Sequence, residues 1–188
     1  MDTIKKPLQV WVHLSADLTR NLLQLPTAPE QFQALQQKLR RARMAGVDGI
    51  IVPVSWRHVA PFMPEQVEEA KMWRPYQQLF SLIRGEGLQI IPDLSLVARG
   101  MNDVRYLSLL PDWLWGRLQS ELPADMPIDS LKYLDQHGRD SITALSLWAG
   151  KVTQPYFVQL MGGFAHHMQE FVGALCHVQL GVGPEGEW

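Results

Sequence analysis

One cysteine, Cys176, is all the thiol chemistry in the 188-residue sequence. It has no partner for an internal disulfide and no Cys-x-x-Cys spacing for zinc or redox work, so core packing is its expected role. Charge is scarce too: 19% of residues are charged and the formal net charge is -2. That balance gives no field to draw the chain to nucleic acid or to an anionic membrane, and neither is an expected partner. No apolar run approaches the roughly 20 residues of a membrane-spanning helix. LQVWVHL, after Lys5 and Lys6, is short, alternates and has no small-residue cleavage site, which marks a strand and not a signal peptide. The expected location is the cytoplasm. P-loop, zinc and Ser/His/Asp signatures are missing as well, and no cofactor or metal is implied.

What is present is a core. Hydrophobic residues make up 46% of the chain, enough for one globular domain over residues 1–188 with no linker. LQVWVHL (8–14) reads as a first strand. From Glu30 to Met44, Phe32, Leu35, Leu39 and Ala42 recur at helical spacing, with Gly46 as a stop and KLRRAR as the exposed face. GIIVPVSW (49–56) has the unbroken apolar character of a strand covered on both faces, although Pro53 interrupts it. MWRPYQQLFSLIRGEG places Trp73, Tyr76, Leu79, Phe80 and Ile83 on one helical stripe, and LQIIPDLSL (88–96) follows as a third strand. PDWLWGRLQSEL predicts a helix, ADMPIDS and DQHGRDS predict loops, Pro155 to Leu175 a helix, and CHVQLGV (176–182) a fourth strand.

Such βα alternation belongs to parallel-sheet proteins. A doubly wound nucleotide fold would announce itself by a glycine-rich turn after the first strand, and WVHLSADLT has none. A (β/α)8 TIM barrel fits the repeat but needs about 250 residues. The expected fold is therefore α/β, a partial (β/α)8 TIM barrel of about four β/α units.

Barrel chemistry sits at the carboxyl ends of strands. There the candidates are Ser15 and Asp17, the stretch from Ser55 to His58, the stretch from Ser95 to Asp103, and the terminal LGVGPEGEW (180–188), in which Gly183, Pro184 and Gly186 shape an unusual backbone path around Glu185 and Glu187. Two acids on one turn make a poor pair for straddling a sugar ring. Trp56 and Trp188 fall at strand ends, where an indole face could receive a sugar, whereas Trp11, Trp73, Trp113 and Trp115 read as core. Asp93, inside an apolar strand, needs a hydrogen-bond partner if buried. His166 and His167 point different ways on a helix, as solvated positions and not a metal pair.

The order of motifs resembles the β-amylases of glycoside hydrolase family 14. The matching stretches are LRRARMAGVDGIIVPVSW, WRPYQQLFSLIRGEGLQIIPDLS and LGVGPEGEW. The resemblance implies an inverting hydrolase of α-1,4-glucans that releases maltose, with Glu187 as the general acid and Asp103, Trp56 and Trp188 holding the sugar. Oligosaccharide or polysaccharide is the implied partner. The family's substrate aspartate on the second strand stands as Pro53 here, the tryptophan pair beside it as Ser55 and Trp56, and the loop after the third strand reads LVARGMND. The family's second catalytic glutamate belongs to the other half of its barrel. That points to completion by a second copy or by a complementary half-barrel chain, or else to a non-catalytic relic or carbohydrate-binding scaffold of the same fold.

Overall fold

A computed structural model describes residues 8–15, 18–19, 29–60, 63, 65, 68–95, 110–134, 137–138, 140–146 and 150–181. In chain order the elements are β1 (Trp11–His13), α1 (Pro29–Met44), β2 (Gly49–Ser55), α2 (Trp56–Val59), α3 (Glu69–Gly85), β3 (Gln89–Ser95), α4 (Leu114–Glu121), β4 (Lys132–Leu134), β5 (Asp140–Leu145), α5 (Gly150–Met168) and β6 (Gln179–Gly181). β1, β2, β3 and β6 form one sheet in that order, and every neighbouring pair is parallel. This is the four-unit α/β half-barrel sheet that the alternation predicts.

The strand period of two divides the sheet. Ile50, Val52, Val54, Ile90 and Leu94 join the core that α1 and α3 cover, with Leu35, Leu39, Trp73, Tyr76, Leu79, Phe80 and Ile83 supplied by those helices. Fully burying each such side chain contributes about 1.5–3 kcal/mol, so this layer dominates the stability of the unit. The opposite face carries Trp11, His13, Ile51, Pro53, Ser55, Ile91 and Asp93. At its lower end the ring of Trp11 lies over Gly49, and a Cβ at Gly49 would also meet the Gln89 carbonyl at 2.7 Å.

Both strand prolines sit where a missing N–H does least harm. The N–H of Leu14 donates to Ile51 O, so Ile51 and, two residues on, Pro53 turn their backbone polar groups toward β1, which ends at His13. Pro92 turns its missing donor toward β6. There the pairing slips by one residue between the Ile90↔Leu175 bridge and the Asp93↔Gln179 rung.

Several expectations are corrected. The stretch read as loop around DQHGRDS enters an antiparallel hairpin of β4 and β5, with Gly138 at φ 73 between the strands and a register shift at Lys132/Tyr133. α5 begins at Gly150 and ends at Met168, followed by a 3₁₀ turn at Gln169–Phe171, so Pro155 lies inside the helix and does not open it. Cys176 is exposed and packs no core. Of the paired histidines only His166 is solvated: the side chain of His167 is 12% exposed and stacks on Trp73 at 5.9 Å between centroids. No described helix is long and apolar enough to cross a membrane.

Candidate active site at the strand carboxyl ends

Parallel strands bring the carboxyl ends of β1, β2, β3 and β6 to one edge of the sheet, and the register fixes which residues meet there. Pro53 stands beside Asp93, Asp93 beside Gln179, and Ser55 beside Ser95. On this face His13 reaches across β2. Its Nδ1 donates to the adjacent Leu14 carbonyl at 2.8 Å, which requires a proton on Nδ1, and its Nε2 lies 3.7 Å from Asp93 Oδ2. Asp93 is 1% exposed while the His13 side chain is 41% exposed, so the carboxylate is covered and the imidazole is the part that meets solvent. At 3.7 Å this contact is longer than a hydrogen bond, and it becomes an ion pair when the imidazole carries a proton on both nitrogens.

Beyond the end of β1 the backbone of β2 is satisfied from the helical layer. The N–H of Ser55 donates to the Tyr76 hydroxyl at 3.1 Å, and that hydroxyl donates to Pro53 O at 3.4 Å, with His58 Nδ1 at 3.5 Å. Burial pushes the ionisation of Tyr76 well above the ordinary phenol range, so it remains a neutral hydroxyl. This fixes the turn into α2 and with it Trp56.

Trp56 is 3% exposed and points into the helical layer. Its ring packs on Phe157 at 5.5 Å between centroids and lines a cavity of about 140 Å³ together with Trp73, Trp113, Glu69 and Met72. A second hollow of about 200 Å³ adjoins it through Met63, Trp113 and Gln159, and Arg117 and Tyr156 line its far side. There Arg117 pairs with Glu65 at 3.0 Å and Glu121 at 2.7 Å, and the Tyr156 hydroxyl donates to Glu121 at 2.5 Å. Burial, then that bond to Glu121, pushes the Tyr156 phenol up to about 12.

Glu187, Asp103 and Trp188 lie outside the described residues, so of the four residues to which the resemblance gives a role only Trp56 is placed. His13, Tyr76 and Glu69 carry roles that the sequence reading did not assign. For His13 the signal was available, since the alternation in LQVWVHL puts it on the face of Trp11; for Tyr76 it was not, because its partners are 18 to 23 residues distant in sequence, and Glu69 meets Trp73 one helical turn on but His167 only through helix packing. Among the described residues no three His, Cys, Asp or Glu side chains converge as a metal site.

Residues 27–188 match the family model described as Glycosyl hydrolase family 14. The wheat (Triticum aestivum) protein Beta-amylase Tri a 17 is 24% identical over 190 residues, a span of 96% of this chain and 35% of that protein. Beta-amylase 5 of Arabidopsis thaliana is 28% identical over 165 residues, 82% of this chain and 31% of its own length. The chain therefore spans about a third of the curated relatives it matches. Among solved structures, the catalytic domain of a β-amylase from Paenibacillus polymyxa superposes with a TM-score of 0.68 at 22% identity, covering 95% of this chain and 38% of that one. The exo-β-1,4-mannosidase Op5Man5 from an Opitutaceae bacterium, at TM-score 0.59 and 14% identity, shares the fold.

Proposed function

Because the chain belongs to glycosyl hydrolase family 14, we propose that it supplies one half of a β-amylase-type hydrolase that cleaves α-1,4-glucans such as starch to maltose with inversion at the anomeric carbon. The observation that carries this reading is the family match itself, which runs through to residue 188 and so takes in Glu185 and Glu187. In this reading Glu187 is the general acid that protonates the leaving glycosidic oxygen, a role worth about 10² to 10⁴ in rate. Asp103 and Trp188 hold the glucan directly. Trp56 acts there by backing the turn after β2, given how little of it reaches solvent.

An inverting mechanism also needs a carboxylate about 6.5–9.5 Å from the acid, with a water between it and the sugar. We assign that base to the rest of the barrel, which a longer form of this chain, a complementary half-barrel or a second copy would add along the edges at β1 and β6, where the sheet of described residues ends. The proposed compartment is the cytoplasm. A second reading, a non-catalytic scaffold that binds glucan, is favoured by Pro53 and Ser55, which put no carboxylate or second indole at the end of β2.

Maltose release from soluble starch by the protein with its barrel complete, compared with its Glu187→Gln variant, decides between them. Loss of β-maltose formation in the variant with the fold retained is the expected result. Undiminished activity overturns the role of Glu187, and no hydrolysis by the unaltered complete barrel establishes the scaffold.

A further inference from the structure

The last residue of β1 places an imidazole beside a strand that has no polar side chain to match it. Alternation puts Trp11, His13, Ile51, Pro53, Ile91 and Asp93 on the face of the sheet that the helices leave uncovered. Trp11 lies at the lower end over Gly49, Ile51, Pro53 and Ile91 are apolar, and Asp93 is 1% exposed. Among these residues the hydrogen-bonding group that meets solvent near the strand ends is therefore His13, whose side chain is 41% exposed.

The ring is held in place although it is accessible. Its Nδ1 donates to the Leu14 carbonyl at 2.8 Å, and the N–H of Leu14 donates in turn to Ile51 O at 2.9 Å, so the residue that anchors the imidazole is itself tied to the sheet. To come within 3.7 Å of Asp93 on β3, the imidazole crosses β2 between Ile51, its register partner, and Pro53, which stands beside Asp93. Its Nε2 edge thus arrives at the level of Pro53, the position at which β2 carries no carboxylate.

We propose that His13 is a glucan-binding residue of this chain, its Nε2 bonding a hydroxyl of a glucose unit whose C–H face rests on Pro53 and Ile51. Ligands of parallel α/β folds enter at the carboxyl ends of the strands, and their sites join apolar walls to a small number of fixed polar groups. Pro53 and Ile51 are half-buried and supply such a wall, and the bond from Nδ1 to the Leu14 carbonyl fixes the polar group. A sugar hydroxyl both donates and accepts, so it bonds the neutral ring at the Nε2 lone pair and the doubly protonated ring at the Nε2 hydrogen. The inference rests on the glucan reading of this face, and adds to it the residue that serves where Pro53 cannot.

Titration of the protein, its barrel complete, with maltose tests it, followed by calorimetry and by the His13 ring resonances in NMR. Maltose is expected to bind and to move the His13 Cε1 proton resonance. His13→Phe, which keeps a planar ring and loses both nitrogens, is expected to weaken maltose about three- to tenfold, the worth of one hydrogen bond. His13→Gln, whose amide can still meet a hydroxyl, is expected to recover part of that loss; an equal loss in both variants marks a merely structural ring and overturns the inference. Undiminished binding in His13→Phe, or a His13 resonance that maltose leaves in place, overturns it as well and leaves the glucan reading standing. That resonance is read on the unaltered protein, so it decides even where His13→Phe does not fold by circular dichroism. No binding of maltose by the unaltered protein overturns the glucan reading and the inference together.

Discussion

The hydroxyl of Tyr76, on α3, accepts the backbone N–H of Ser55 at the last residue of β2, 3.1 Å away and in the interior. A helix side chain here does the work of a neighbouring strand. Tyr76→Phe keeps the ring in its packing and strands a buried donor, which costs about 1–3 kcal/mol. For a domain of this size that is a fall of roughly 2–4 °C in melting temperature per kcal/mol, read by calorimetry. An unchanged melting point would show that the hydroxyl contributes nothing to the end of β2.

Gly49→Ala tests the close approach of Trp11 to the lower end of the sheet. A methyl group there overlaps the indole and stands 2.7 Å from the Gln89 carbonyl, and backbone yields little. Overpacking of this kind costs about 1–3 kcal/mol. Urea unfolding followed by tryptophan fluorescence should show a lower midpoint, and Gly85→Ala, where the added atom meets nothing within 4 Å, should show none of that loss.

His167 gives the stability a pH dependence of definite sign. Its pKa is lowered from 6.5, first by burial, with Glu69 opposing and His166 adding to the effect. Between the folded value and 6.5 the unfolded chain binds more protons, so stability rises with pH through that window and falls on acidification below about 6.5. Replacing His167 by Gln should flatten that part of the profile, measured as melting temperature between about pH 5 and 7.

Tyr156 and Glu121 shift each other's ionisation in opposite directions. The Tyr156 hydroxyl, ahead of Arg117, holds the Glu121 carboxyl below its ordinary value of 4.5. In Tyr156→Phe the carboxyl resonance of Glu121 should therefore titrate at higher pH, while its bond to Arg117 Nε keeps part of the depression. The ultraviolet titration should also lose a phenol ionising at about 12.

The parallel sheet and its helices were legible because both periods are written plainly in the sequence: apolar runs at 49–56 and 88–96, and a helical stripe from Trp73 to Ile83 that is buried as expected. The hairpin of β4 and β5 was not. KYL and DSITAL are short and polar at their junction, and their pairing is settled by Gly138 and by packing of Leu131 and Leu145 into the core. Pro155 misled in the opposite way, since a proline pattern that marks a helix start is also tolerated one turn inside when tertiary contacts hold the helix. At the strand ends Trp56 was legible as a position but not as an orientation. The direction in which its ring turns depends on Phe157, about a hundred residues later in the chain.

Pro53 has a consequence for how the first strand stops. With no hydrogen to offer on the side of β1, it leaves the Leu14 carbonyl without that rung, and the oxygen is taken by His13 Nδ1 at 2.8 Å, while the Ser15 carbonyl goes to the N–H and hydroxyl of Thr19, each at 3.0 Å. The imino acid thus works as a length gauge: one missing rung releases the backbone from the sheet at a set height, level with the edge where a ligand would have to enter.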